Sequence, residues 1–331
     1  MHLRDYDSPT HDEQSLKAKP TRAPFGYFGA KQTIAQRIIE MFPQHNAWVE
    51  GFCGSAALTL AKKPVPIEVI NDIDKQIVNL FCQLRENSDA LCRAVELTPY
   101  AREEFILARD HISNGVHADV EPLEQARRFL VATMMTVNGT MNAGSGWSYS
   151  QSYARQGREA RVNRWCNLPQ RLEKAVERLR GVRVENRDAR EIVEMFEDRP
   201  ATLVYLDPPY YTKRKHTYVI DAQDAAFHQD LLQKCTMARC MIVISGYHNE
   251  LYEEILTADM GWERRSIGTS TRDTTGRIYS RTEVLWMNSV FLNAKNNDRL
   301  PLTLTQKEIE QNKVNPAREI QGVKMEISTE S

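Results

Sequence analysis

The sequence predicts an α/β fold: a mainly parallel sheet, interrupted by a helical insertion and ended by an antiparallel hairpin. Three observations carry that expectation. Short β-branched runs alternate with helical periodicity along the chain. One stretch, from about Arg85 to Arg180, reads as nearly all helical. Near the end, "RRSIGTSTRDTTGRIYSRTEVLWMN" sets two extended runs around a TTG turn, the pattern of a hairpin.

The predicted strands are "AWVEGF" (47–52), "IEVIND" (67–72), "VRVEN" (182–186), "TLVYLD" (202–207) and "MIVISG" (241–246). Helices are expected between them. "TIAQRIIEMF" repeats apolar residues at Ile34, Ile38, Ile39 and Phe42, and "AAFHQDLLQKC" does so at Phe227, Leu231 and Cys235. "NELYEEILTADMG" carries Leu251 and Ile255 and stops on glycine. The best helical patterns in the insertion are "EPLEQARRFLVATMMTV" and "LPQRLEKAVERLRG", with the loop "NGTMNAGSGWSYS" between them. Residues 1–23 read as a flexible tail, 24–84 and 181–293 as one domain, 85–180 as its insertion, and 294–331 as a polar tail.

With 331 residues, 41% of them hydrophobic, the chain can bury the core of a large domain plus an insertion. Its longest apolar run, Phe129 to Val137, is too short to span a bilayer. The polar N-terminus lacks the apolar centre of a secretory signal. A cytoplasmic protein with no membrane partner is expected. The formal net charge of −1 means that a polyanionic partner must be sought in local clusters. None of the six cysteines forms a CxxC pair or joins a histidine at zinc-like spacing, so reduced thiols and no metal are expected.

"WVEGFCGSAALTLAKK" has the form strand, glycine turn, helix. Backbone N–H groups at such a turn bind polar ligand groups, and glycine allows close approach. Gly51 and Gly54 are spaced GxxG, which is not the dinucleotide fingerprint; an adenosine-bearing cofactor without a pyrophosphate remains open. Asp72, eighteen residues after Gly54, ends the next strand, where an acid accepts hydrogen bonds from ribose hydroxyls. Asp188 precedes "AREIVEMF" and has two readings: a helix N-cap, or an acceptor for an adenine amino group.

The stretch "LVYLDPPYY" carries the most specific chemistry. Two prolines after a buried strand make a stiff turn with no backbone donors. It offers two acceptors, the Asp207 carboxylate and the Pro208 carbonyl, with Tyr210 as an aromatic face. A planar ligand bearing NH₂ suits those groups. Acceptors pulling on both amine hydrogens would return the nitrogen lone pair from the ring, and would stabilise charge developing on nitrogen during transfer.

These motifs together resemble the DNA adenine-N6 methyltransferases of bacteria and phages whose recognition domain is inserted in the cofactor-binding fold. The similarity covers most of residues 24–290. It implies a Rossmann-like, S-adenosylmethionine-dependent methyltransferase sheet with a terminal hairpin and an inserted helical DNA-recognition domain. "DPPY" matches the catalytic motif Asp207, Pro208, Pro209 and Tyr210, implying that Asp207 and Pro208 hold the amine and that Tyr210 stacks on a flipped base. "YFGAKQ" resembles the N-terminal cofactor motif, implying that Tyr27 packs on S-adenosylmethionine and that Lys31 pairs with its carboxylate. "VEGFCGSA" resembles the glycine loop, with Gly51 in place of a proline and Ala56 in place of a second glycine. Glu50, Phe52, Cys53, Gly54 and Ser55 are its candidate cofactor contacts. "NDID" supplies Asp72 for the ribose with Ile73 beside it, and Asp188 matches the acid that holds the adenine amine.

A DNA substrate requires a basic face on this near-neutral chain. Residues 155–183 hold nine basic and three acidic side chains, a net +6 that would give steep salt dependence. Arg155, Arg158 and Arg161 recur every third residue, which would place them near one helical face. Lys213, Arg214 and Lys215 follow the catalytic turn, ready to hold the backbone near an extruded base. Asn138 and Asn142 lie in the loop that resembles the DNA-entering segment of relatives. Duplex DNA is therefore the expected partner and S-adenosylmethionine the expected cofactor. N4-cytosine methylation is the close alternative, because the motif serves either exocyclic amine. A nicotinamide oxidoreductase fits the missing fingerprint poorly, and a non-catalytic DNA-binding protein does not need an intact Asp207–Tyr210.

Overall fold

The computed structural model describes residues 21–27, 31–113, 119–137, 146–151, 154–209, 225–272 and 278–301. The chain opens with α1 (Ala35–Ile39), β1 (Ala47–Glu50), α2 (Ala57–Ala61) and β2 (Ile67–Asn71). A helical stretch follows: α3 (Lys75–Glu86), α4 (Ser88–Leu97), α5 (Arg102–Ser113) and α6 (Pro122–Met135). A short ribbon, β3 (Ala154–Arg155) and β4 (Arg158–Glu159), leads into α7 (Ala160–Cys166) and α8 (Leu168–Leu179). Next come β5 (Val182–Glu185), α9 (Ala189–Phe196), β6 (Thr202–Leu206), α10 (Ala225–Met237), β7 (Met241–Gly246) and α11 (Glu250–Ile255). The hairpin β8 (Glu263–Arg272) and β9 (Ile278–Met287) precedes α12 (Ser289–Asn297).

The main sheet has seven strands in the order β5-β2-β1-β6-β7-β9-β8. β1 pairs in parallel with β2 and β6, β2 with β5, and β6 with β7, whereas β9 runs antiparallel to both neighbours. Wholly buried β6 and β7 explain their unbroken apolar runs: strands covered on both faces do not alternate. From β1 the chain winds outward to β2 and β5, then returns to β6 on the other side. The order therefore reverses between β1 and β6, where an open α/β sheet leaves a crevice at the strand C-termini.

Side chains of opposite parity fill the two faces. Trp48, Tyr205, Val243 and Leu285 pack with Ile38 and Phe291 on one side. Val49, Val204, Ile242 and Trp286 pack with Ile192, Leu231 and Tyr252 on the other. The helical stretch shares a third cluster with the sheet: Phe81, Leu130 and Leu172 pack with Leu60, Ile70 and Val182. Arg178 on α8 also bonds the buried Glu68 of β2 at 2.5 and 2.8 Å, and Lys62 Nζ donates to Glu68 at 2.9 Å. The stretch is thus fastened to the sheet by apolar packing and by a buried ionic cluster.

Several sequence expectations change. β1 ends at Glu50, two residues early, because Phe52 already belongs to the turn below the crevice. α1 is only five residues long; Phe42 lies beyond it and packs on Trp48 at 5.2 Å between ring centroids. Ala23, at the end of the expected N-terminal tail, is fully buried, and α12 runs past Ala294 with Phe291 and Ala294 in the core. Arg155, Arg158 and Arg161 do not share a helical face. Gln156 (φ 54°) and Gly157 (φ 73°) turn the chain back, so Arg155 pairs with Arg158 across a two-residue hairpin and Arg161 starts α7. The TTG turn and residues 302–331 of the polar tail lie outside the described residues.

Candidate active site

The strand ends surrounding the crevice carry most of the motif residues. Gly51 lets β1 and β6 close together: its N–H donates to the Tyr205 carbonyl at 2.9 Å, and a Cβ there would stand 2.6 Å from Leu206 Cδ2. Cys53 N–H donates to the Asn71 carbonyl at 2.8 Å, drawing the glycine loop against β2. Gly54 has φ 48°, and a Cβ on it would lie 2.9 Å from the Tyr27 ring, so two independent constraints require glycine. Ala56 keeps the left-handed region at φ 52° despite its methyl group, and α2 starts directly after it.

Asp72 holds this loop in place. Its Oδ2 accepts the Gly54 N–H at 2.9 Å and its Oδ1 accepts the Asp74 N–H at 3.0 Å. Burial pushes the Asp72 carboxyl up to about 6, against the pull of those two amides. Glu50 is also buried; its Oε2 accepts the Thr59 N–H at 3.0 Å and the Thr59 hydroxyl, and burial pushes it up to about 7. Ile73 is 43% exposed beside Asp72, an apolar surface at the lip of the crevice. Phe52 meets Phe227 edge-on at 6.5 Å, and Arg190 lies 4.9 Å over Phe227. Arg190 also bonds Asp188 at 3.0 and 2.7 Å, holding that carboxyl below its usual range; Asp188 caps α9 through the Arg190 N–H.

Two asparagines to which the motifs assign no role stitch these loops together. Asn71 Nδ2 donates to the Gly51 and Arg187 carbonyls at 2.9 and 3.0 Å. Asn186 Nδ2 donates to the Asp72 and Ile73 carbonyls at 2.8 and 3.1 Å.

Asp207 and Pro208 stand at the end of β6, across the crevice from the glycine loop. Lys31 Nζ donates to both Asp207 oxygens, at 2.8 and 2.7 Å, and lies 3.4 Å from Glu283 on β9. Ser245 on β7 donates a short hydrogen bond to Glu283 Oε1. Burial pushes Asp207 up to about 6, with Lys31 pulling it down and Glu283 pushing it up. Burial opposes the Lys31 charge, but Asp207, Tyr205 and Glu283 outweigh it and raise its pKa above the usual lysine range. The resemblance implies a cofactor carboxylate as the partner of Lys31; in this structure its ammonium rests on Asp207. Tyr210 and Tyr211 lie outside the described residues.

A family model for D12 class N6 adenine-specific DNA methyltransferases matches residues 27–266. The chain belongs to this family. This methyltransferase acts on the N6 amine of adenine in DNA and takes its methyl group from S-adenosylmethionine. No curated protein matches the chain. Among solved structures, a precorrin 8W decarboxylase of Methanobacterium thermoautotrophicum is 10% identical, over 77% of this chain and 89% of that one, with a TM-score of 0.32. A SAM-dependent methyltransferase from Agrobacterium tumefaciens is 12% identical, over 78% of this chain and 60% of that one, with a TM-score of 0.35. Both scores are too low to support any argument about the site.

The residues fit S-adenosylmethionine. Ser55 Oγ is buried in the glycine loop without a hydrogen-bond partner among the described residues, where buried hydroxyls ordinarily have one. A polar group of the cofactor would satisfy it. Among the described residues no group of three or more His, Cys, Asp or Glu is arranged to hold a metal, and no helix is long and apolar enough to cross a membrane.

On the helical stretch, a cavity of about 610 Å³ is lined by Tyr149, Arg161, Asn163, Arg164 and Arg171, among others. Arg171 Nη2 donates to the Ala23 carbonyl at 2.8 Å, and a Cβ on Gly26 would stand 3.2 Å from Arg164 Nη2. Arg164, which lines the cavity, thus lies beside Gly26, the residue before Tyr27. Burial lowers both guanidinium pKa values, with Arg161 adding to the effect on Arg164; Arg164 and Arg22 help push Arg171 down to about 10. Among the described residues, no carboxylate forms an ion pair with Arg161, Arg164 or Arg171. Arg158 is exposed on the nearby ribbon. The Arg155 side chain, Asn138, Asn142, Lys213, Arg214 and Lys215 lie outside the described residues.

Proposed function

We propose that the protein methylates a flipped adenine at a specific site in duplex DNA, with Asp207 and Pro208 holding the target amine. The observation that carries this reading is the position of the Asp-Pro-Pro turn. It ends β6 at the switch point, across from a glycine loop whose buried Ser55 hydroxyl lacks a partner among the described residues.

In this reading Asp207 and the Pro208 carbonyl accept the two amine hydrogens, which favours a pyramidal nitrogen with an available lone pair. When bound in the glycine loop, S-adenosylmethionine would supply the methyl group, the electrons of the broken C–S bond returning to sulfur. The nitrogen then carries a positive charge and an extra proton, and Asp207 receives that proton and passes it to solvent. Tyr27, Phe52, Gly54, Ser55 and Asp72 hold the cofactor, with Ile73 and Asp188 on its adenine side and Tyr210 against the target base. Residues 85–180 recognise the target, and Arg158, Arg161, Arg164 and Arg171 hold the DNA backbone. Cytoplasmic action is consistent with these partners.

The test is methylation of duplex DNA with labelled S-adenosylmethionine, followed by digestion to nucleosides and mass spectrometry. N6-methyladenine is expected from the wild type. Asp207→Ala is expected to lose product while still binding S-adenosylmethionine. N4-methylcytosine alone, or full activity in Asp207→Ala, would sink the reading.

A further inference from the structure

Glu283 is a buried carboxylate beside Asp207 that the chemistry above leaves unused. It is 3% exposed on β9, on the same sheet face as Tyr205 and Ser245, and β7 separates its strand from that of Asp207. The Ser245 hydroxyl donates to Glu283 Oε1. Lys31 bridges the gap, holding both oxygens of Asp207 and lying 3.4 Å from Glu283. One ammonium thus stands between two carboxylates away from bulk water.

We propose that Glu283 is a positioning residue for methyl transfer: it anchors Lys31 and offsets its charge, so that Asp207 meets the target amine as a net acceptor. This rests on Asp207 being the amine acceptor. As the nitrogen lone pair forms the new N–C bond, the amine gains one positive charge. Asp207, Lys31 and Glu283 together carry −1 before that step, which the new charge brings to zero. Without the Glu283 charge the same step would run from zero to +1 in a buried site, where a net charge is costly. Glu283 also gives Lys31 a second anion to hold while the amine takes its place on Asp207.

Among the described residues, five charged or titratable groups interact with Asp207. They are Lys31 before α1, Glu50 at the end of β1, Tyr205 on β6, Tyr252 on α11 and Glu283 on β9. Lys31 is the cation among them. Glu283 raises the proton affinity of Asp207, so removing its charge must shift Asp207 ionisation to lower pH.

Single-turnover methylation of duplex DNA, followed against pH, tests this. Glu283→Gln is expected to lower the plateau rate on the order of 10- to 100-fold and to move the acid limb to lower pH, with cofactor affinity kept. Glu283→Asp should recover part of the rate. A merely structural role would not move the limb in that direction. A folded Glu283→Gln protein, judged by cofactor binding and thermal melting, that keeps the wild-type rate and limb overturns the proposal. If that variant does not fold, Ser245→Ala decides: losing the donor that holds Glu283 in place should lower the rate by a smaller factor, and a wild-type rate overturns the proposal. Activity in Asp207→Ala would instead overturn the reading of the site itself. An inactive Asp207→Ala beside a wild-type-like Glu283→Gln overturns only the role of Glu283.

Discussion

Glu50, Asp72 and Asp207 are carboxyls that burial pushes up to about 7, 6 and 6. Each folded-state value exceeds that of an exposed carboxyl, roughly 4. Each group therefore contributes stability that is fully present below about pH 4 and is lost as pH rises through the folded value. These acids oppose folding at neutral pH. Glu50→Gln keeps an acceptor for the Thr59 N–H but removes the charge. The variant should gain stability on the wild type as pH rises from 5 to 8, by about 1–3 kcal/mol. Urea unfolding at the two pH values measures it, and a constant difference between the proteins would refute the assignment.

The element that sets the crevice is the turn between β1 and α2. Its geometry depends on Gly54, which combines φ 48° with close approach of the Tyr27 ring. Gly54→Ala must strain the backbone by about 1–2 kcal/mol and push Tyr27 aside. The loop amides and Ser55 would then no longer be presented together. We expect the dissociation constant for S-adenosylmethionine to rise at least ~10-fold by calorimetry, and an unchanged affinity would count against the loop as the cofactor site. Gly157 is the useful contrast. Its φ is 73°, also left-handed, but a Cβ there would meet no atom within 4 Å, so its substitution should leave cofactor affinity alone.

Over the whole molecule, a near-neutral chain gathers several guanidinium groups around one cavity beside the N-terminal segment, with no carboxylate paired to them among the described residues. Burial and mutual repulsion make that arrangement unfavourable in isolation, and the DNA backbone proposed to lie there would relieve both. Arg161→Gln and Arg164→Gln should each reduce the slope of log affinity against log salt by about 0.9. Target and non-target duplexes should weaken alike, because backbone contacts carry no sequence information. Fluorescence anisotropy across a salt series gives the slopes, and unaltered slopes in folded variants would remove these residues from the DNA surface.

The sequence by itself determined the strand–helix alternation, the final hairpin, the Asp-Pro-Pro turn and the need for Gly54. Those features arise within a few residues, where periodicity and backbone sterics act directly. Only the tertiary structure decided what meets what. Lys31 and Asp207 are 176 residues apart, and nothing local in "YFGAKQ" says that its lysine reaches the acid of β6. Glu283 reads locally as one more polar residue of a hairpin; sheet order and strand parity turn it toward Ser245 and Lys31. Asn71 and Asn186 likewise acquire their roles from loops that pairing brings together. Arg155, Arg158 and Arg161 show a different gap. A three-residue spacing suits a helix, yet the Gln156-Gly157 pair between them was a readable turn signal. Local rules place each group on an element, and long-range pairing then chooses its partners, because the contacts that build the site join strands distant in sequence.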